Sequence, residues 1–204
     1  MDQLTITARI KGPLITNGGR LTLDALLASQ TYDLTQDIDQ AHHYLPIKQQ
    51  DGVYFASRMF CEPVTKNGYA IVQNFRPDDI WLDHGLIKKN KQGRVHSRFS
   101  NLPDPILNSY KSISTDTLTW YATGDADKIR TLLAGITHIG KKRSALVESW
   151  LVESGELDGW HGYADEPLRP IPVAMWDGDK SLPRVDAAAR PAYWNPMNKE
   201  ECYV

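Results

Sequence analysis

Cysteine is scarce in this 204-residue chain, which has only Cys61 and Cys202, far apart in the sequence. Without a Cys-x-x-Cys spacing, neither a disulfide framework nor a zinc knuckle is expected. No apolar run approaches the roughly 20 residues that cross a bilayer, and the N-terminus lacks the basic and apolar regions of a secretory leader. We therefore expect a cytoplasmic protein without a membrane segment.

The signatures of several enzyme classes are also missing. The chain has no Gly-x-Ser-x-Gly, no Gly-x-x-x-x-Gly-Lys-Ser/Thr and no Gly-x-Gly-x-x-Gly after the first predicted strand, which disfavours a serine hydrolase, an ATPase or a dinucleotide enzyme. No two of its six histidines have the spacing of a metal-binding helix pair. We expect no metal, no cofactor and no enzymatic activity.

The composition is that of a folded protein with an uneven distribution of charge. Apolar residues make up 41% and charged residues 24% of the chain, and the net charge is −2, values typical of a globular domain rather than a disordered one. Segments 24–39 and 148–166 are acidic. Segment 86–99 has no carboxylate, and a second basic run lies at 141–143. Charge sorted in this way predicts a local basic surface.

Alternating and helical patterns predict an α+β fold. Leu4, Ile6, Ala8 and Ile10 alternate with polar residues, which indicates a half-buried strand. A short helix is predicted at 21–28, where Thr22 is the candidate N-cap, followed by an irregular stretch at 31–51. Runs 52–61 and 69–75 are typical of a strand hairpin.

Regular patterns return in the second half of the chain. A strand is predicted at 117–123, then a helix capped by Asp125, a turn at 140–143 and a strand at 146–152. The order predicts a ferredoxin-like (RRM-like) βαββαβ core at residues 1–155. An insertion at about 77–115 interrupts this core, and residues 156–204 are expected to form a C-terminal extension packed on it.

The feature that bears most directly on function lies between the second helix and the last strand. Gly140 permits a turn with positive φ, and backbone N–H groups of such a turn can bind anions. The side chains around it can reach phosphates. The candidate RNA-binding residues are His138, Gly140, Lys141, Lys142, Arg143 and Ser144.

Segment 139–144, Ile-Gly-Lys-Lys-Arg-Ser, together with the Val-Glu-Ser-Trp-Leu-Val-Glu that follows Leu146, resembles the glycine-rich loop and following strand of the RAMP superfamily of CRISPR proteins. More narrowly, it is similar to the small subunit at the 5′-handle position of type IV effector complexes. Segments 1–19, 21–28 and 190–204 resemble the same family, whereas 30–115 is largely uncovered. Where the family loop has further glycines, this chain has Ala145 and Leu146, so the cationic side chains would grip RNA more than the backbone.

The resemblance implies a non-catalytic subunit that holds the repeat-derived 5′ handle of the guide RNA. Such a subunit caps the backbone filament and contacts the large subunit and the target DNA near the protospacer-adjacent motif. The basic segment would then be a thumb-like insertion that clamps RNA or DNA, through Lys88, Lys89, Lys91, Arg94, His96 and Arg98. Tyr44, Phe99 and Tyr110 are candidates for stacking on splayed bases.

Two alternatives stay open. A metal-independent endoribonuclease of the same superfamily would need a general base and a cation at the scissile phosphate, and His42-His43 with Lys141 or Arg143 are the candidates. A protein-interaction module without RNA contact would use the aromatic residues of the C-terminal stretch as anchors: Trp160, Trp176, Tyr193 and Trp194.

Overall fold

A computed structural model describes residues 1–16, 21–61, 65–73, 87–89, 95–97, 106–157 and 166–204. The chain divides into two units, Met1–Lys66 with Ile113–Val204 and Asn67–Ser112. None of the helices in the described ranges is long and apolar enough to cross a membrane.

Strands dominate the described chain. In chain order they are β1 (Asp2–Lys11), β2 (Leu14–Ile15), β3 (Gln49–Gln50), β4 (Val53–Tyr54), β5 (Phe60–Cys61), β6 (Thr65–Gln73), β7 (Ile87–Lys89), β8 (Val95–Ser97), β9 (Ile106–Ser114), β10 (Thr117–Gly124), β11 (His138–Ile139), β12 (Ala145–Ser154), β13 (Ile171–Pro172), β14 (Arg184–Ala188) and β15 (Lys199–Tyr203). The described helices are α1 (Leu23–Thr35), α2 (Ile38–His43) and α3 (Ala126–Ala134).

The central sheet of the first unit has the strand order β11-β12-β1-β10-β5, with antiparallel neighbours throughout. It curls as a half-barrel. The predicted alternation of β1 is confirmed, because its four apolar side chains are at most 3% exposed. The predicted strand at 117–123 is confirmed as β10, in which Leu118, Trp120 and Ala122 are fully buried.

Both long helices bury their apolar side against this sheet. Leu23 and Leu27 of α1 and Ile129 and Leu133 of α3 are fully buried in the same core as the β1 and β10 side chains. The Asp125 carboxylate accepts a hydrogen bond from the Lys128 N–H, 3.1 Å away, as its predicted role as N-cap requires. Thr22 occupies the N-cap position of α1, but its side chain makes no capping hydrogen bond.

The prediction of a ferredoxin-like βαββαβ core is wrong. Runs 52–61 and 69–75 do not form a hairpin, since β4 pairs with β3, and the two-residue β5 pairs with β10 at the edge of the five-stranded sheet. Strand β6 lies in another sheet, beside β9. The alternation of side chains shows that a segment is extended, but it carries no information about which strand pairs with it.

The prediction that residues 31–51 are irregular is also wrong. Helix α1 continues to Thr35, and Gln36 ends it in the left-handed conformation with φ 55°. After one residue at the N-cap position, α2 begins at Ile38, and the Asp37 carboxylate accepts hydrogen bonds from two backbone N–H groups there. The last turns of α1 are exposed and polar, so they lack the apolar periodicity that identifies a helix in a sequence.

In the second unit, β7 and β8 pair antiparallel, with Lys88 opposite His96. The Ser112 hydroxyl donates to the Asn67 carbonyl, 3.2 Å away. This unit overlaps the insertion predicted at about 77–115.

The C-terminal residues from Glu166 onward form a separate three-stranded sheet in the order β13-β15-β14. Side chains of this sheet contribute to two small apolar clusters, one around Cys202 and the other around Trp176 and Tyr203.

Candidate functional site

The turn between β11 and β12 has an unusual backbone. Gly140 has φ 89°, as the sequence predicted, and the next residues form a single 3-10 turn, Lys141–Arg143. Lys142 (φ 61°) and Arg143 (φ 53°) are both in the left-handed region. Residues other than glycine rarely adopt this backbone conformation, which costs on the order of 1 kcal/mol or more for each residue. Residues that do adopt it cluster at functional positions.

This turn is held firmly against β2. The Ser144 hydroxyl oxygen accepts a hydrogen bond from the Ile15 N–H, 3.0 Å away, and the Arg143 N–H donates to the Gly140 carbonyl at 3.1 Å. A Cβ atom at Gly140 would lie 2.7 Å from the Ser144 hydroxyl oxygen and 3.0 Å from the Ile15 carbonyl oxygen. Only glycine fits here. The Ser144 hydroxyl can also donate a hydrogen bond, since a hydroxyl both donates and accepts.

The turn forms one side of an open groove of about 920 Å³. Residues of α1 line the same groove, and apolar side chains contribute to the lining, among them Leu21, Leu26 and Ile136. Lys141, Lys142 and Arg143 are all exposed. Within the described ranges, neither Lys142 nor Arg143 forms a salt bridge. The turn therefore presents positive charge beside this groove.

Four of the predicted RNA-binding residues line this groove or its rim. His138, Gly140, Lys141 and Arg143 are lining residues, and the exposed His138 has its Nδ1 atom 3.1 Å from the Thr137 hydroxyl oxygen. The structure thus brings these four predicted residues to one cavity, whereas Lys142 and Ser144 are not among its lining residues. No group of three or more metal-ligating side chains lies together in the part of the chain that the structure describes.

The two predicted stacking residues that the structure describes do not line this groove. Tyr44 is 77% exposed and lines a different cavity, near the start of α3. Tyr110 is half-buried on β9 of the second unit, and Phe99 lies outside the described residues.

For the predicted basic insertion the structure describes only backbone. Lys88, Lys89 and His96 lie on β7 and β8, whereas Lys91, Arg94 and Arg98 lie outside the described residues.

The histidine pair considered for a nuclease lies at the end of α2, within the stretch 31–51 that was predicted to be irregular. The rings of His42 and His43 are 6.3 Å apart between centroids and nearly perpendicular. Burial, with a smaller contribution from His43, lowers the pKa of His42 below its ordinary value of 6.5. Neither histidine lines the groove that Lys141 and Arg143 line. The structure therefore does not bring a candidate general base and a candidate cation into one site, as RNA cleavage would require.

The predicted aromatic anchors of the C-terminal stretch differ in their exposure to solvent. Trp176 is 6% exposed and packs against Tyr203, so it belongs to the interior. Trp194 is 81% exposed. The Tyr193 hydroxyl hydrogen-bonds to the Asp24 carboxylate, and Trp160 lies outside the described residues.

A buried ionic cluster, which the sequence patterns did not reveal, holds the C-terminal segment to α1. Asp24 in the first turn of α1 is fully buried and forms a salt bridge with Arg169, which is 1% exposed. The Arg169 guanidinium also donates to the carbonyls of Tyr54 (2.7 Å), Ala56 (3.3 Å) and Ala189 (3.0 Å). The cluster fixes the start of the helix that forms one wall of the groove.

The other missed residues are on that helical wall. Ser29, Gln30 and Asp33 line the same groove as the cationic turn. In the sequence these three residues follow the predicted helix 21–28, and Asp33 lies four positions after Ser29 and three after Gln30, as residues on one face of a helix do. The apolar periodicity ends before them, so nothing in the sequence indicated that the helix continues.

The comparisons with known proteins add no family to this description: no protein-family model and no curated protein matches the chain. The functional interpretation therefore depends on the turn and the groove.

Proposed function

We propose that this chain is a non-catalytic RNA-binding subunit of a type IV CRISPR ribonucleoprotein, which holds the 5′ handle of the guide RNA along the groove beside residues 140–144. The observation that carries the proposal is the row of three exposed cations, Lys141 to Arg143, on a strained turn that is hydrogen-bonded to β2. The resemblance of segment 139–144 to the glycine-rich loop of the RAMP superfamily gives further support.

The chemistry of the turn suits a phosphate backbone. Lysine and arginine side chains neutralise phosphates and release counterions, which supplies most of the affinity in sequence-independent binding. The groove is open to solvent and has apolar side chains in its lining, which is compatible with bases that are not paired. Because the turn backbone is held in place by Ser144 and Ile15, little conformational entropy of the backbone would be lost on binding.

The wider assembly belongs to the same proposal. The subunit would cap a filament of backbone subunits and contact the large subunit and the target DNA near the protospacer-adjacent motif. Trp194, which is 81% exposed, is suited to a protein contact, since aromatic side chains supply much of the binding energy of interfaces. The subunit would need no cofactor and would work in the cytoplasm.

The decisive experiment measures binding of a fluorescent single-stranded repeat-derived oligoribonucleotide as a function of salt. Replacement of Lys142 and Arg143 by alanine leaves up to two phosphates without a cationic partner. We expect the slope of log K against log salt to become less negative by about 0.7 for each phosphate that is no longer neutralised. Lys180→Ala, which removes an exposed lysine outside the groove, is the matched control and should leave the slope unaltered.

Circular dichroism of each variant verifies that the fold is retained. If the double variant binds the oligoribonucleotide with the same affinity and salt dependence as the original chain, the turn is not the RNA contact. The same samples test the nuclease alternative, because cleavage of the oligoribonucleotide that disappears on replacement of His42 and His43 would overturn the non-catalytic assignment.

A further inference from the structure

The two sides of the groove differ in charge and in hydrogen-bonding capacity. One side has the cationic turn, and the other has Ser29, Gln30 and Asp33 from α1. Ser29 and Asp33 are four residues apart, and Gln30 and Asp33 are three apart, so all three share one face of the helix. The groove therefore has a basic wall and a polar wall with a negative charge.

The side chains of the polar wall are available to a ligand. Ser29 and Asp33 are exposed, and Gln30 is half-buried. None of the three side chains has a hydrogen bond or salt bridge to another residue within the described ranges. The Gln30 amide lies against the backbone of Gly135, where a Cβ atom would overlap the amide nitrogen. Gly135 thus leaves space for the Gln30 amide in the wall.

This difference in charge orients a single strand of RNA. The Asp33 carboxylate repels phosphates and is an acceptor only, so it can be satisfied in a complex only by N–H or O–H donors. Phosphates are attracted to the cationic turn. A strand in the groove would consequently place its phosphates toward residues 141–143 and its base edges toward α1.

We propose that α1 is the base-reading wall of this groove, and that Asp33 with Gln30 selects bases that present an amino donor, cytosine in preference to uracil. This inference depends on the proposed RNA-binding function. Cytosine presents an amino group at the position where uracil presents a carbonyl oxygen, and aspartate is a known acceptor for the cytosine amino group. A uracil carbonyl facing Asp33 would place two acceptors together, which leaves both without a donor.

The test uses two oligoribonucleotides of equal length, one of cytidine and one of uridine, whose ring size and phosphate charge are the same. Fluorescence anisotropy at fixed moderate salt gives the affinity of each. We expect the original chain to bind the cytidine oligomer about tenfold more tightly, the ratio that one good base contact provides. Asp33→Asn should reduce this ratio to about threefold or less, because an amide both donates and accepts.

Two variants separate base reading from phosphate binding. Lys142→Ala should weaken both oligomers by the same factor and leave the ratio between them unaltered. Asp177→Asn removes an exposed carboxylate that does not line the groove, and it should change neither affinity nor ratio. Circular dichroism again verifies folding of each variant.

Each outcome decides a different point. Equal affinity for the two oligomers, with Lys142→Ala still weakening both, would overturn base reading by α1 and leave RNA binding intact. A ratio that falls equally in the Asp33 and Asp177 variants would identify a general charge effect and would also overturn it. No binding of either oligomer at low salt would overturn the proposed function itself, and this inference with it.

Discussion

Replacement of Asp24 by asparagine should strongly destabilise the protein, although the two side chains have nearly the same shape. Asp24 is fully buried, and its partner Arg169 is 1% exposed. The two nearest guanidinium–carboxylate distances are 3.2 and 3.4 Å. Asparagine removes the negative charge and leaves a buried guanidinium without a counter-ion.

Removal of one partner of a buried ion pair costs about 3–5 kcal/mol. The lower end is expected for Asp24→Asn, because the amide oxygen can still accept one hydrogen bond from Arg169. For a chain of about 200 residues, each kcal/mol lowers Tm by about 2–4 °C. We therefore expect Tm to fall by about 6–12 °C. An exposed ion pair gives the contrast, since Asp127 is 92% exposed where it contacts Arg130, and Asp127→Asn should cost less than about 1 kcal/mol.

A double-variant cycle, followed by thermal and urea unfolding, identifies the buried charge as the cause. Arg169→Met alone should be strongly destabilising, because it leaves the Asp24 carboxylate buried without a counter-ion and removes the donor from the carbonyls of Tyr54, Ala56 and Ala189. In this background Asp24→Asn strands no cation and removes the unpaired anion, so adding it should cost nothing or restore part of the lost stability. Equal destabilisation by Asp24→Asn in both backgrounds would refute the reasoning, as would an effect no larger than that of Asp127→Asn.

Two further predictions concern the turn and the histidine pair. Gly140→Ala should lower the free energy of unfolding by about 1–3 kcal/mol, because φ is 89° and the new methyl group would overlap the Ser144 hydroxyl. The control is Gly155→Ala, where no atom lies near the added methyl group, and equal urea midpoints for the two variants would contradict the prediction. Burial lowers the pKa of His42 in the folded protein. Because His42 of the unfolded chain binds a proton at higher pH than His42 of the folded protein, the stability falls as the pH drops from about 7 through the lowered pKa of the folded state. The Tm of His42→Gln should therefore fall less than that of the original chain between about pH 7.5 and 5.5, and identical decreases would show that His42 does not contribute to acid sensitivity.

Local patterns predicted local structure well. The alternation at residues 4–10 and 118–122 identified β1 and β10, and Asp125 marked the start of α3. The glycine at 140 indicated the positive φ of the turn. Each of these depends on residues within a few positions of one another, where side-chain spacing and backbone conformation are directly coupled.

Pairing between distant segments could not be predicted in this way. The pattern at Phe60–Cys61 is typical of half a hairpin, but these residues form a short edge beside β10. The polar end of α1 has the composition of an irregular stretch, but it is helix because the core holds the first turns through Leu23 and Leu27. In both cases the deciding contacts are with residues far away in the chain.

By itself the sequence determined that β1, β10 and α3 form, where the cationic turn lies, and that Gly140 permits its positive φ. Tertiary structure alone decided the rest: the order of strands in the sheet, the burial of Arg169 beside Asp24, and the groove that the turn and Asp33 both line. The physical reason is that periodicity reports which side of a segment is buried. Which other segment buries it depends on the free energy of the whole fold.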